Sequence, residues 1–233
     1  MLDRAVFLDR DGTLVHPRHY PSRPADLQLY HGIGAGLRRL QVAGFRLIVI
    51  TNQAGLARGY FGEPELRRMH EHLAYELSRL DVLLDGIYYC PHHPEGTIRE
   101  LAIRCDCRKP APGMLLRAAA ERSIDLERSW FAGDILDDVE AGNRAGCRTV
   151  LVDLGTEPAP ALAVRRPYAV ARDTQHALEI VAAAEELGPP TDLGYRPTSW
   201  RAAEEGTEAG SDVLTSSPAR SPAQSMNGVP KWL

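Results

Sequence analysis

Two aspartates two positions apart, Asp9 and Asp11, close the apolar run Val6-Phe7-Leu8 and lead into Gly12-Thr13. In an extended backbone successive side chains alternate faces, so both carboxylates point the same way where a buried strand leaves the core. Gly12 lets the chain turn tightly just after them. Like charges held this close are costly unless a cation neutralises them or one takes up a proton. The pair therefore asks for a divalent metal or for proton-transfer work. A calcium loop also begins Asp-x-Asp, but counted from Asp9 it wants an oxygen-rich residue at its fifth position, glycine at its sixth and glutamate at its twelfth. The chain has Thr13, Leu14 and Tyr20 there.

Three more polar groups stand where apolar runs stop or helices start: Thr51-Asn52-Gln53, Arg108-Lys109-Pro110 and Gly133-Asp134. With Asp9 and Asp11 they supply a nucleophilic carboxylate, an acid/base carboxyl, hydroxyl and amide donors, a fixed cation and a metal-binding aspartate. Phosphoryl transfer needs that set. Asp9 is the candidate nucleophile, forming an aspartyl-phosphate, and Asp11 the general acid and then base. Mg²⁺, held by Asp9, the backbone carbonyl of Asp11 and Asp134, would neutralise the repulsion between attacking carboxylate and phosphate. Thr51 and Lys109 would donate to the equatorial phosphoryl oxygens. Taken singly each has a blander reading: a strand-ending turn for Thr51-Asn52, a surface charge for Lys109, ordinary first-turn helix residues for Asp137 and Asp138. Their joint occurrence makes coincidence a poor explanation.

The stretch Cys90–Pro110 has neither helical nor strand period and holds three of the four cysteines. Cys90-x-His92 and Cys105-x-Cys107 give two ligand pairs that suit a closed, structural, tetrahedral Zn²⁺ site, with His93 as the adjacent histidine. A disulfide between Cys105 and Cys107 is the alternative. Cys147 reads as a small buried side chain.

These residues need a scaffold, and the pattern supplies one. Apolar runs of strand length at Ala5–Leu8, Phe45–Ile50, Asp85–Tyr89, Trp130–Ala132 and Thr149–Val152, with a weaker one at Tyr168–Val170, alternate with helical periods. The helices are expected at Ile33–Val42, Glu63–Leu80, Pro112–Arg122, Asp137–Ala145 and Thr174–Glu186. That alternation predicts an α/β fold with a parallel, Rossmann-like sheet covered by helices on both faces. In such sheets ligands bind at the carboxyl ends of the strands, where the polar groups stand. The 233 residues fit one domain, expected over 1–187 with a zinc loop over 90–107; beyond Gly188 the Pro, Ser, Gly and Ala content predicts a flexible tail over 188–233. A net charge of −4 offers no electrostatic reason to expect nucleic acid or a membrane as partner. Asp3 and Arg4 argue against a signal peptide, no apolar stretch is long enough to span a bilayer, and a cytoplasmic location with reduced cysteines is expected.

The segments Asp9-Arg10-Asp11-Gly12-Thr13, Thr51-Asn52-Gln53, Arg108-Lys109-Pro110 and Gly133-Asp134-x-x-x-Asp138 resemble, in order, the four motifs of the haloacid dehalogenase superfamily of phosphohydrolases. The resemblance covers roughly residues 5 to 155. Asn52 to Gly59 and Tyr88 to Pro94 are most similar to the heptose bisphosphate phosphatases, with histidinol-phosphate phosphatases as relatives. The resemblance implies removal of the 7-phosphate of a heptose 1,7-bisphosphate, with hydrolysis of histidinol phosphate or another small phosphate ester as the alternative. It also implies a monomer without a large cap domain, catalytic Mg²⁺, and structural Zn²⁺ on Cys90, His92, Cys105 and Cys107. By the same likeness Asn52, Gln53, Arg108 and Tyr20 would contact substrate, with Arg108 recognising the part away from the scissile phosphate. Two departures stand out: Ile135 occupies the place of a lysine or arginine, and His16-Pro17-Arg18-His19 replaces a more acidic, glycine-containing stretch. Arg18 or His19 is expected to compensate for the missing cation.

Overall fold

A computed structural model describes residues 2–187 and 194–200. Six parallel strands form one sheet: β1 (Arg4–Leu8), β2 (Phe45–Asn52), β3 (Gly86–Cys90), β4 (Trp130–Gly133), β5 (Arg148–Val152) and β6 (Ala169–Ala171), in the order β3-β2-β1-β4-β5-β6. Five helices connect them: α1 (Ile33–Val42), α2 (Glu63–Ser78), α3 (Gly113–Arg122), α4 (Leu136–Ala145) and α5 (Thr174–Ala184). The strand order reverses between β1 and β4, which lie side by side in register from Val6 opposite Trp130 to Leu8 opposite Ala132. A crevice opens at that switch point, beyond the strands' carboxyl ends.

The sheet is buried on both faces because its strands are apolar on both. Val6 and Leu8 of β1 pack with Leu47, Val49, Trp130 and the apolar stripes of α1, α2 and α5. Ala5 and Phe7 of the same strand face the other way, onto Ile48, Ile50, Phe131 and Met114, Leu115 and Ala118 of α3, with Ala141 of α4. Phe7 and Phe131 are essentially inaccessible, and burial of such side chains stabilises the fold by about 1.5–3 kcal/mol each.

The helices begin where local chemistry allows. In α2 Pro64 occupies the first turn and the Glu65 carboxylate accepts from Gly62 N (3.0 Å). In α5 the side chain of Asp173 accepts from His176 N (2.7 Å). The two long connections, 9–32 and 91–112, carry little regular structure, and no separate cap domain exists among the described residues.

The expected flexible tail over 188–233 needs correction at one place. Residues 194–200 are described and they are packed: Trp200 is buried against Leu136, Val139, Leu151 and Val170, and its Nε1 donates to Glu157 O (3.0 Å). The aromatic gains apolar contact and a hydrogen-bond partner at one stroke, which composition alone could not indicate. The rest of the expected tail lies outside the described residues. No helix among the described residues is long and apolar enough to cross a membrane.

Candidate active site

Asp9 follows the last residue of β1 and is fixed by its own N–H donating to Ala132 O of β4 (2.9 Å). Asp134 follows β4. The two therefore meet across the switch point because their strands are neighbours, although 124 positions separate their strands' first hydrogen-bonded contacts in sequence. Gly12 makes the meeting possible. Its φ of +91° disfavours any side chain, and a Cβ there would lie 2.2 Å from Asp134 Oδ2. Thr13, wholly buried, donates to Asp134 Oδ1 (3.3 Å).

Lys109 enters the same pocket. Its Nζ donates to Asp9 Oδ1 (2.6 Å) and to Ile50 O (3.1 Å), and it stands 2.6 Å from Asp138 Oδ1 in an ion pair whose angle falls outside hydrogen-bond geometry. Asn52 pins this lysine's backbone to the end of β2: its Oδ1 accepts from Lys109 N (3.1 Å) and its Nδ2 donates to Lys109 O (3.2 Å). Both ends of the Asn52 amide are thus engaged, which corrects the expectation that this side chain contacts substrate. Gln53 is corrected in the same way. It is 4% exposed, and its amide bonds Arg10, Asp11 and Thr51.

The chemistry of the cluster follows from its charges. Three carboxylates, Asp9, Asp134 and Asp138, come within one ion's reach and are all buried, with one ammonium among them. Burial chiefly, with Asp138 and Asp11 assisting and Lys109 opposing, pushes the Asp9 carboxyl up to about 7. Burial, then Asp9 and Asp138, push Asp134 up to about 9. Burial pulls Lys109 down, yet Asp138 and Asp9 outweigh it and hold the ammonium above its ordinary value. A hard divalent cation such as Mg²⁺ fits such a set of oxygen donors and removes the excess negative charge.

The Asp11 side chain does not join that cluster. It turns to Arg10, whose Nε and Nη2 reach its Oδ2 at 3.1 and 2.8 Å. Thr51 is 1% exposed at the end of β2, its hydroxyl accepting from Gln53 Nε2 (2.8 Å). Beside Asp11 a cleft of about 270 Å³ is lined by Arg18, His19, Tyr20 and Arg108, so three residues of the unusual stretch after Thr13, and Arg108, face one opening. Tyr20, at a φ of +47°, packs edge-on against Tyr60, and Arg108 donates to His92 O (3.3 Å). Ile135 lies at the start of α4, where its N–H donates to Asp138 Oδ2 (3.3 Å).

Arg10 and Asp138 were not singled out for a role by sequence reasoning. A charged residue between two aspartates at the end of an apolar strand was the available signal for Arg10. For Asp138 it was the spacing within Gly133-Asp134-x-x-x-Asp138.

At the loop, Cys90, His92, Cys105 and Cys107 converge. Their sulfurs are 3.2 to 3.6 Å apart, and His92 Nδ1 is 3.3 Å from Cys107 Sγ. A zinc tetrahedron with Zn–S of about 2.3 Å has edges of roughly 3.8 Å, so the donors are placed for such an ion. All four cysteines are free, so the alternative of a Cys105–Cys107 disulfide is not adopted. His93 instead sits 3.3 Å from Arg58 Nη2, away from the sulfurs. Cys147 is buried, and burial pushes its thiol up to about 12.

Comparison with known proteins now adds to this geometry. A HAD-hydrolase-like family model matches residues 106–177. The chain is 46% identical over 154 residues to a D-glycero-beta-D-manno-heptose-1,7-bisphosphate 7-phosphatase of Haemophilus ducreyi, covering 65% of this chain and 84% of that protein. It is 44% identical over 157 residues to the protein of the same name in Escherichia coli K12, covering 67% and 82%. Among solved structures, a putative HAD-like phosphatase from Mesorhizobium loti aligns at TM-score 0.71 and 35% identity, over 82% of this chain and 90% of that one. The D,D-heptose 1,7-bisphosphate phosphatase from B. bronchiseptica, complexed with magnesium and phosphate, aligns at 0.66 and 28%, over 78% and 99%. By its fold and by these likenesses, the chain belongs to the heptose-1,7-bisphosphate 7-phosphatase family of HAD-like phosphatases.

Proposed function

We propose that the chain hydrolyses the 7-phosphate of D-glycero-D-manno-heptose 1,7-bisphosphate through an aspartyl-phosphate on Asp9. The observation that carries this reading is the buried cluster of Asp9, Asp134, Asp138 and Lys109 at the carboxyl ends of β1 and β4. The relatives that share up to 46% of their residues with the chain carry that activity in their names. Asp9 attacks phosphorus as the ester P–O bond breaks, and Asp11 gives the departing oxygen its proton. Water then cleaves the acyl-phosphate, and Asp11 takes the proton back. Lys109 and Thr51 donate to the phosphoryl oxygens, where transition-state charge gathers. Asp9 and Asp134, with Asp138 close by, would hold Mg²⁺, which when bound neutralises charge between phosphate and carboxylate.

Arg108, Arg18, His19 and Tyr20 would receive the sugar and its second phosphate at the cleft beside Asp11, guanidinium groups being suited to phosphate. The four-ligand set of Cys90, His92, Cys105 and Cys107 fits a structural Zn²⁺ that orders the loop leading into Arg108 and Lys109. Residues 1–187 would form the phosphatase domain of a cytoplasmic monomer acting on a small phosphorylated sugar.

The test is phosphate release from a panel holding the heptose 1,7-bisphosphate and histidinol phosphate. We expect the bisphosphate to be the better substrate. No release from it would overturn the substrate assignment, and no release from any phosphomonoester would overturn the reaction.

A further inference from the structure

Gln53 has an amide that is wholly spoken for inside the protein, and the way it is oriented bears on two reacting groups at once. Its Oε1 accepts from Arg10 Nη2 (3.1 Å), while its Nε2 donates to Asp11 Oδ2 (3.1 Å) and to Thr51 Oγ1 (2.8 Å). A guanidinium only donates, so Arg10 dictates that the carbonyl end of the amide faces it. The N–H end must then face Asp11 and Thr51. Arg10 has no exposed surface, and its charge is met by the Asp11 carboxylate through two nitrogens. Swinging this guanidinium away would strand a buried charge, so the arrangement is held firmly.

We propose that Arg10 and Gln53 are positioning residues that set the hydrogen-bond polarity of the general acid and of the phosphate-binding hydroxyl together. This rests on the phosphatase reading above. At Asp11, Oδ2 accepts three bonds, whereas Oδ1 accepts only a second, 3.1 Å contact from the same Arg10 Nη2. Oδ1 is therefore the oxygen that carries the proton. As the Asp9–phosphorus bond forms and the ester bond breaks, that proton passes to the leaving oxygen, and the carboxylate left behind already has its donors in place. At Thr51, the hydroxyl accepts from Gln53, which leaves its own hydrogen to point at a phosphoryl oxygen. One amide, anchored by one buried cation, thus makes the first group an acceptor along one edge and the second a donor into the site.

The two functions are separable by leaving group. A sugar alkoxide needs a proton to depart and a p-nitrophenolate does not, whereas both esters need Thr51. kcat/KM reports the steps through ester cleavage, so it is measured for the full chain with the heptose 1,7-bisphosphate and with p-nitrophenyl phosphate. Gln53→Leu keeps the volume and removes the amide. It is expected to lose about tenfold on the aryl ester and a further hundredfold or so on the sugar ester, the usual scale of a positioned general acid. Arg10→Lys keeps the buried charge but not the fork, and it should shift the ratio of the two esters in the same direction. It carries the test if Gln53→Leu does not fold. Equal losses on both esters in the variants overturn the inference, because that is what a structural role alone produces. A wild-type chain inert towards both esters overturns the phosphatase reading itself, and the inference with it.

Discussion

Asp9, Lys109, Asp134 and Asp138 reach one another from the ends of β1 and β4, the first turn of α4 and the segment ahead of α3. Cys90, His92, Cys105 and Cys107 come instead from two tripeptides at the ends of one loop. Lys109 and Cys107 are two residues apart, so the two groups adjoin along the chain. The carboxylate group is buried and is delivered by parallel strands whose register is fixed by the two apolar cores. The cysteine group is partly exposed and hangs on a stretch, 91–112, without helix or strand. One is a site that the fold makes and an ion completes. The other is a site whose own closure supplies the order that regular structure elsewhere provides.

The comparison can be broken from the strong end. Replacing Asp9 by Asn should cut turnover by about 10⁴-fold or more, as for loss of a nucleophile, while leaving zinc content and melting temperature close to wild type. Retained turnover would remove Asp9 from the nucleophile's role. Gly12→Ala should come next. Its Cβ would collide with Asp134, so phosphate release should fall by about a hundredfold through a displaced ligand, and Mg²⁺ titration should show weaker binding. Cys107→Ser acts on the other region. Zinc measured on the purified protein should drop well below one equivalent, limited proteolysis should cut within 91–112, and kcat should fall by tens-fold because Lys109 follows directly. Unchanged protease resistance would mean that the loop does not depend on its ligands. Asn52→Ala sharpens the boundary between the two regions by unpinning Lys109 without touching either ion site. About a tenfold loss in kcat/KM with intact zinc content is expected, corresponding to roughly 1.4 kcal/mol.

Much of this architecture was legible in the chain. The helix Ile33–Val42 runs between the limits its apolar spacing predicts, and Asp9, Thr51, Lys109 and Asp134 converge as strand-end chemistry in a parallel sheet requires. Other features depend on contacts between distant positions. The Asn52 amide spans the backbone of Lys109, 57 residues away, and nothing in Thr51-Asn52-Gln53 tells a side chain turned inward from one turned to substrate. Arg10 is hard to read because a fully buried arginine is stable only with partners that the sequence lists separately. Asp138 serves two purposes, accepting from the N–H at the start of α4 and pairing with Lys109, and the first masks the second.

The docking of Trp200 bears on where the chain can be cut. Trp200 Nε1 holds the carbonyl of Glu157, and the Glu157 carboxylate in turn accepts from Leu136 N, two residues after Asp134. A deletion that stops at 187 leaves all four strand-end residues in place. It nevertheless removes the clasp on the peptide that presents Asp134, so its cost should surface as a lower melting temperature than that of a chain ending after 200.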